Sequence, residues 1–451
     1  MTSRQSHYIQ AALSVLFFIA VFCFYMFAYS GHMAMQEQFQ LWLCTSDYLQ
    51  EHLYAGGLIV YMGEWVAQFF YSPVIGATIL AAILLGIQAN TWRISRSKNH
   101  VLYPLSFIPS ICTLAVMTDG NVLTSLPVGM LLWTSAIALI CSIRGKSLQY
   151  ACAIVIFILL GYISTPSQYS YYRQAEMPDS VMLIPILSAL FTDIALRFLP
   201  SSKKSPAITY AILTVVVAIA GWASIASGME TDEEHFLRYD QMARHERWDD
   251  IIDKARNEGV HDTYSAVYVN IALAIKGQLA DNLSLAVAPH GVNSLLPDYK
   301  GEWHKALPVA EAFYYLGMVN TAQRYTFNAH EAIPNMNKSA RCFKRLAETN
   351  IINGHYEVAR KYLQLLSHTL FYRTWAEKAL ECIEHRNIDV HPMWHYLRTV
   401  QTDDDYLFSS KRGVQLASLI KANKDNYIAS QYIVAYSSLV PTTDRPTSNK
   451  E

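Results

Sequence analysis

The sequence predicts an all-α protein in two parts: an N-terminal bundle of about seven transmembrane helices and a C-terminal soluble α-solenoid of helix pairs. Two observations support this division. Residues 1–228 contain long apolar runs and only ten of the 35 Lys and Arg residues and eight of the 36 Asp and Glu residues. In residues 229–440 the usual density of charge returns, and apolar residues recur with a helical period.

Charge and cysteine usage exclude two classes of function. The net charge is −1 and the basic residues form no cluster, so we expect no nucleic-acid partner. The seven cysteines form no CxxC or similar spacing, so no metal site is predicted, and no motif identifies a cofactor. Cys342 and Cys382 lie in the C-terminal part, where they either form a disulfide in an oxidising compartment or remain buried thiols.

Seven apolar stretches predict the membrane helices, because a helix needs about 20 apolar residues to cross the hydrocarbon core. The first is longer than the apolar region of a signal peptide and has no cleavage site, so we expect an uncleaved anchor. The predicted spans are Tyr8–Tyr29, Ser72–Asn90, Val101–Met117, Val122–Ile143, Gln149–Ser164, Ser180–Phe198 and Ile208–Ser227.

The positions of the cations predict the orientation, because cytoplasmic loops accumulate Lys and Arg. Only Arg173 lies in a predicted outer loop. We therefore expect a cytoplasmic N-terminus and a C-terminal part on the opposite side of the membrane. The other nine cations of this half lie before the first span or after the second, fourth and sixth: Arg4, Arg93, Arg96, Lys98, Arg144, Lys146, Arg197, Lys203 and Lys204.

The first outer loop, residues 31–71, is predicted to form a helical hairpin at the membrane interface. Gln36–His52 is expected to be one amphipathic helix, with Trp42 at the headgroup boundary. The pair Gly56-Gly57 is the expected turn, and Leu58–Phe70 the second helix.

Three carboxylates of this loop are candidate functional groups. Asp47 and Glu51 are four residues apart and therefore share a helical face, and Glu37 precedes them in the same predicted helix. They form either a site for general acid/base chemistry or metal binding, or the solvated face of an interfacial helix.

Two further groups are candidates. Tyr171, Tyr172 and Arg173 lie in a predicted outer loop, where the rings either stack on a sugar or belong to an interfacial aromatic belt. Asp193 and Arg197 form an intramembrane charged pair, which is a functional candidate by default and is also explained by pairing along the helix.

The C-terminal part contains an internal repeat. Gly354-His-Tyr-Glu-Val-Ala359 matches Gly317-Met-Val-Asn-Thr-Ala322, and weaker copies start at Gly277 and at His245, where Asn282 and Asp250 replace the small residue. The pattern resembles the tetratricopeptide repeat, in which Gly marks the turn between two helices and the small residue lets them pack closely. The resemblance implies a solenoid over residues 229–440 that presents an extended binding face, followed by a disordered tail at 441–451.

The layout of the membrane part resembles multi-pass glycosyltransferases that use lipid-linked sugars, although only one carboxylate, Glu37, follows the first span closely. A second resemblance, to a family of multi-pass Bacteroidota membrane proteins of unknown function, implies a bacterial inner-membrane setting with a periplasmic C-terminal part. It is carried by Gln36-Glu-Gln-Phe-Gln-Leu41, Gly56-Gly-Leu58, Gly63, Gln68-Phe-Phe-Tyr71, Pro73 and Gly76.

Two functions follow as hypotheses. The first is a scaffold for cell-envelope assembly, whose repeat part binds a protein partner while the spans hold it in the lipid bilayer. The second is an envelope enzyme that uses a lipid-linked glycan and the carboxylates Glu37, Asp47 and Glu51.

Overall fold

The computed structural model describes residues 3–97, 99–174, 177–199, 206–297, 303–334, 337–388, 391–402 and 412–440. Within these residues every regular element is a helix, which confirms the all-α prediction. The chain divides into two compact units, Met1–Thr231 and Asp232–Glu451. The predicted disordered tail at 441–451, and the cations Lys98, Lys203 and Lys204, lie outside the described residues.

The described residues of unit 1 form ten α-helices. A π-helical turn, Phe24–Ala28, extends α1, and a 3₁₀ segment, His100–Phe107, leads directly into α6. The helices are α1 (Ser3–Cys23), α2 (Ser30–Phe39), α3 (Ser46–Glu51), α4 (Gly57–Gln68), α5 (Pro73–Ser95), α6 (Ile108–Val116), α7 (Ser125–Ser142), α8 (Lys146–Gln174), α9 (Ser180–Phe198) and α10 (Pro206–Gly228).

Six of these helices are long and apolar enough to cross a membrane, which is compatible with a multi-pass membrane protein. The predicted third span corresponds to a shorter apolar helix, His100–Val116. Its first half is a 3₁₀-helix that contains Pro104. The predicted fifth span was too short, since α8 continues to Gln174. The six helices are Gln5–Ala28, Pro73–Ser95, Ser125–Ser142, Lys146–Arg173, Ser180–Phe198 and Pro206–Gly228.

The inner and outer faces of unit 1 are both apolar. Inside, side chains such as Ile59, Leu80 and Leu84 pack in a core from which solvent is excluded. Outside, α8 exposes large apolar side chains, including Phe157 at 69% and Ile158 at 65%. Soluble monomers seldom expose contiguous apolar surfaces of this kind.

Unit 2 consists of the remaining helices, most of which pack in antiparallel pairs. Consecutive pairs also contact one another, for example α16 with α17 and α18 with α19. The helices are α11 (Thr231–Arg244), α12 (Trp248–Glu258), α13 (Thr263–Ile275), α14 (Val287–His290), α15 (Ala306–Tyr315), α16 (Val319–Glu331), α17 (Ala340–Ile352), α18 (Tyr356–Leu366), α19 (Arg373–Glu384), α20 (Pro392–Val400), α21 (Arg412–Ala422) and α22 (Tyr427–Leu439).

In the part of unit 2 that the structure describes, five helices end in the same turn. In each, one residue has a positive φ, its N–H donates to the carbonyl three residues back, and the next N–H donates to the carbonyl five residues before it. At Gly317 these distances are 3.0 and 2.9 Å. This is the Schellman motif, which satisfies the last carbonyls of a helix. The positive-φ residues are Glu246, Gly277, Gly317, Gly354 and Arg386.

These turns correct one part of the predicted repeat. Gly317 and Gly354 do form turns, and Ala322 and Ala359, five residues later, are fully buried. In the copy near Trp248, however, the turn residue is Glu246, so the buried position is Ile251 rather than Asp250. The predicted copy starts one residue too early, at His245, because Glu246 takes the place that Gly has in the other copies.

Candidate functional site

The segment predicted as one helix from Gln36 to His52 is two helices, and that prediction is wrong. Helix α2 ends at Phe39, and α3 begins after Thr45, whose hydroxyl accepts from the N–H of Tyr48 at 3.2 Å as an N-cap. Between them the carbonyls of Gln40 and Leu41 accept hydrogen bonds from the side chains of Gln68 and Tyr48. Side chains therefore donate to two backbone carbonyls that would accept from backbone N–H groups if the helix were continuous.

The three predicted carboxylates of this segment are not brought together. Glu37 is 1% exposed on α2, all ten residues of which are buried. Asp47 and Glu51 are exposed on α3, where Asp47 accepts a hydrogen bond from its neighbour Ser46 at 3.2 Å. Trp42, expected at the headgroup boundary, is buried at 6% exposure. A catalytic role for Glu37, Asp47 and Glu51 stays a prediction.

Buried amides connect this segment to the start of α7. The side chain of Gln36 donates to the Gly120 carbonyl at 2.5 Å, and that of Gln40 donates to the Thr124 hydroxyl at 3.3 Å. Gln68 donates to the carbonyl of Gln40 at 2.6 Å. Because buried amides are costly unless bonded, these contacts hold the ends of α2 and α4 in one arrangement.

A cluster of titratable side chains lies between α3 and α4. Oε2 of Glu64 lies 3.2 Å from Nε2 of His52 and 2.8 Å from the Tyr48 hydroxyl, whose single hydrogen is shared between Glu64 and the Leu41 carbonyl. Nδ1 of His52 lies 2.8 Å from the carbonyl of Tyr48. The side chains of His52 and Glu64 are 11% and 9% exposed. We call Tyr48, His52 and Glu64 the hairpin triad.

The geometry of the hairpin triad requires one proton between His52 and Glu64. A carbonyl can only accept, so Nδ1 of His52 carries a proton. Nε2 and Oε2 then need a second one, held either by the imidazolium or by the neutral carboxylic acid. Burial raises the pKa of Glu64, against the opposing effects of His52 and Tyr48. Burial alone would lower the pKa of His52, but Glu64, the Tyr48 carbonyl and Glu51 together outweigh burial, and that pKa is raised.

The triad lies against aromatic rings and is tied to α8. The rings of Tyr54 and Tyr61 lie 6.4 and 5.6 Å from the His52 ring. Beside it, the N–H of Gly56 donates to the carbonyl of Tyr162 in α8 at 2.7 Å. That carbonyl is free of its usual helical partner because residue 166 is proline, which has no N–H. The hairpin therefore docks on a carbonyl that the proline exposes.

The hairpin triad was missed in the sequence, although one signal was present. Glu64 is the only charged residue in the apolar stretch Gly57–Gln68, and a lone carboxylate there needs a partner if it is buried. Nothing in the spacing identified His52, because the break at Thr45 decides where α3 points.

The other predicted candidates lie elsewhere in unit 1. Tyr171 and Tyr172 are in the last turns of α8 rather than in a loop, and both are buried, with Tyr171 donating to the Asn121 carbonyl at 3.3 Å. Their rings are therefore not exposed for stacking on a sugar, while Arg173 is exposed. Asp193 and Arg197 form the expected pair at 2.9 Å, and Arg197 also donates to the Ile94 carbonyl at the end of α5.

Unit 2 contains a buried network of ion pairs. Nη1 of Arg341 lies 2.7 Å from both carboxylate oxygens of Asp240, which also accepts a hydrogen bond from Tyr268. Arg345 donates to Glu311 at 2.5 Å and to Glu348 at 2.6 Å. These groups come from α11, α13, α15 and α17, so the network joins the first helices of successive pairs.

Beside this network lies a half-buried aromatic and cationic surface. The guanidinium of Arg345 lies 3.6 Å from the ring centroid of Tyr314, and the ammonium of Lys344 lies 5.2 Å from that of Trp375. His391 stacks on Trp394 at 4.3 Å. We call Lys344, Arg345, Trp375, His391 and Trp394 the inner cluster.

Several cations lie near His245, the residue that follows α11. Burial and the nearby cations, Arg244, Arg247, Arg341 and Lys344, lower the pKa of His245 to about 4. The imidazole is therefore neutral, because protonation would add a further cation to this group.

The cysteines supply no site. Cys342 and Cys382 are both free thiols, and Cys342 is fully buried. Among the described residues no group of three or more His, Cys, Asp or Glu side chains is placed to hold a metal ion.

Comparison with known proteins identifies a family but no activity. The model of a family of unknown function (DUF6057) matches residues 6–439 and therefore covers both units. No curated protein and no solved structure matches the chain. The resemblance to a family of unknown function is confirmed, while the tetratricopeptide likeness and the Bacteroidota setting stay predictions.

Proposed function

The chain belongs to the DUF6057 family of unknown function, and we propose that it is a multi-pass inner-membrane protein whose second unit docks a protein partner in the periplasm. Unit 1 is the anchor, with its N-terminus in the cytoplasm. Unit 2 is a tetratricopeptide-like solenoid that serves as a scaffold in cell-envelope assembly. The inner cluster, beside the buried ion network, is the observation on which the docking role rests.

The membrane placement rests on the six long apolar helices and their exposed apolar faces. A seventh crossing comes from His100–Val116. Eight residues of 3₁₀-helix at about 2.0 Å each and nine of α-helix at about 1.5 Å each reach about 30 Å, the thickness of the hydrocarbon core. Seven crossings put the ends of α5, α7 and α9, with their cations, on the cytoplasmic side.

The solenoid assignment rests on the repeated Schellman turns. Five identical helix ends, from Glu246 to Arg386, reverse the chain in the same way. A repeated reversal of this kind stacks helix pairs, and stacked pairs present one continuous face to a partner. Residues of α17 and of the helices beside it form the inner cluster and the ion network on that face.

The partner is expected to be an acidic segment of a protein. Lys344 is 27% exposed, whereas its acidic neighbour Glu348 is 5% exposed, so a partner meets the cation first. The half-buried ring of Trp375 supplies contact area at little cost in conformational entropy, and the buried ring of Trp394 packs beneath it. Ion pairs already hold Arg341 and Arg345, so little ordering is needed on binding.

Site-specific photo-crosslinking in the native cells tests this function. A photoreactive residue at Trp375 should capture a protein, whereas the same residue at Val358, exposed on α18, should not. Lys344→Glu should abolish the crosslink. Lys424→Glu, on the exposed turn between α21 and α22, is the matched charge reversal and should leave it intact. Equal capture at both positions, or capture that survives Lys344→Glu, contradicts the docking role.

A second candidate is an envelope enzyme that acts on a lipid-linked glycan. The observation that favours it is the hairpin triad, in which a buried carboxylate and an imidazole share a proton. Glu64→Gln keeps the shape and removes the charge, so it should abolish complementation of a deletion strain while the Trp375 crosslink persists. Full complementation by Glu64→Gln removes this candidate.

A further inference from the structure

A long apolar groove in unit 1 lies between α1, the His100–Val116 helix and α10. Its volume is about 320 Å³. We propose that it holds a single hydrocarbon chain of a bilayer lipid, as a bound lipid distinct from those that surround the protein. The inference rests on the membrane placement proposed above.

The three helices that form the groove run in the same direction. Near one end Ser14 lies 2.7 Å from the hydroxyl of Tyr103, and further along Phe17 packs on Phe107. Towards the other end, Gly221 has no Cβ and so lets α10 approach Ile111. The same succession of contacts on all three helices makes the groove straight and parallel to their axes.

The length of the groove matches one leaflet of a bilayer. Its lining extends from Leu13 to Phe24 on α1 and its π-turn, and from Thr214 to Ile225 on α10. At about 1.5 Å per residue each stretch is about 16 Å long, roughly half of the 30 Å hydrocarbon core. In the proposed orientation this is the outer half, since all three helices begin in the cytoplasm.

The chemistry of the lining excludes water as the occupant. Thr214 and Trp222 carry the polar side-chain atoms of the lining, and the Thr214 hydroxyl already donates to the Tyr210 carbonyl at 2.9 Å. A buried water needs two to four polar partners, and apolar cavities stay dry. An empty groove of this size would also forfeit the dispersion contacts of its walls. In a bilayer the available apolar occupant is a hydrocarbon chain.

The two ends of the groove give the bound chain a direction. One end is closed by the aromatic cluster of Tyr103, Phe107 and Tyr210. At the other end α1 and α10 stop, and the Tyr29 hydroxyl donates to the Thr118 carbonyl at 2.5 Å while accepting from the N–H of Glu230 at 3.3 Å. The methyl end of the chain therefore faces the aromatic floor, and its polar head faces these groups.

The test uses the full-length chain in nanodiscs of phosphatidylethanolamine and phosphatidylglycerol, doped with a phospholipid that carries a photoreactive diazirine in one acyl chain. After irradiation, the label should concentrate on the peptides of α1 and α10 that line the groove. Ala218→Trp fills the groove and should reduce this label about tenfold, equivalent to about 1.4 kcal/mol of affinity. Ala220→Trp, exposed on the same helix, is the matched control and should leave it unchanged.

A second variant and a second measurement guard against misfolding. Ala20→Trp fills the groove from α1 and should act like Ala218→Trp, while both elute as folded protein in size exclusion. Native mass spectrometry of the unaltered chain should retain one lipid, lost in both variants. Equal labelling of the Ala218→Trp and Ala220→Trp proteins, or no retained lipid, overturns the inference. Release of the chain from native membranes by alkaline carbonate would instead contradict the membrane placement itself.

Discussion

Nε2 of His52 and Oε2 of Glu64 lie 3.2 Å apart in a pocket where neither side chain is more than 11% exposed. The pKa of each is raised in the folded chain. A raised folded pKa means that the folded state binds the proton more tightly than the unfolded state, so stability is lost as the pH rises. For His52 the loss begins above its unfolded pKa of about 6.5.

Glu64→Gln should therefore remove the alkaline part of the stability profile of unit 1. In the unaltered chain the thermal midpoint in detergent should fall as the pH is raised from about 6.5 through the raised pKa of His52. In Glu64→Gln the His52 pKa loses its raising partner, so the fall should flatten. Asp47→Asn, at an exposed position on the same helix as Glu51, serves as the control. A profile in Glu64→Gln identical to that of the parent contradicts the shared proton.

Gly317→Ala should destabilise unit 2 more than Gly354→Ala. Both glycines have positive φ, which costs a residue with a Cβ about 1–2 kcal/mol. A Cβ at Gly317 would also lie 3.1 Å from Cγ2 of Val400, whereas one at Gly354 would meet no atom within 4 Å. Denaturation in urea, followed by circular dichroism, should give the two values. Equal losses would show that the α15 turn has room to relax.

Glu246→Gly and Arg386→Gly should stabilise the chain. Each residue has a φ near +50° at a Schellman turn, a conformation that glycine adopts without strain. We expect a gain of about 0.5–1 kcal/mol for each, reduced by the greater freedom of glycine in the unfolded chain. Lys378→Gly, at an exposed position in the middle of α19, is the control and should lose about 1 kcal/mol. A lower thermal midpoint for both turn variants would show that the positive φ of Glu246 and Arg386 does not strain the backbone.

Arg341→Met should cost unit 2 several kcal/mol, because it leaves the carboxylate of Asp240 buried without its cation. Removing one partner of a buried pair typically costs about 3–5 kcal/mol. The double variant Arg341→Met with Asp240→Leu removes both charges and should recover most of that loss. Thermal unfolding of the three proteins decides the matter; a double variant no more stable than the single one would show that packing, not charge, is responsible.

Features set by neighbours in the chain were predictable from the sequence. The Asp193–Arg197 pair follows from a spacing of four residues, and the Gly317 turn with its buried Ala322 follows from one repeated motif. Apolar length likewise identified the six long helices. In each case the physical cause is local, so a pattern in the sequence carries it.

Features set by tertiary contact were not predictable in this way. The hairpin triad depends on the break before Thr45, which the side chains of Gln68 on α4 and Tyr48 on α3 stabilise by donating to the carbonyls of Gln40 and Leu41. The ion network joins Asp240 to Arg341 across a hundred residues, with no periodic signal to connect them. The turn at Glu246 was not predictable because glutamate seldom adopts a positive φ.

The hydrogen bond from Gly56 to the carbonyl of Tyr162 has a consequence for how the chain is made. The hairpin leaves the ribosome roughly a hundred residues before its anchor, a delay of roughly 5–20 s at ordinary rates of synthesis. During that interval His52 and Glu64 can pair with each other, but the hairpin cannot yet pack against α8. The final position of the hairpin is therefore decided late, when the segment with Pro166 arrives and offers its unpaired carbonyl.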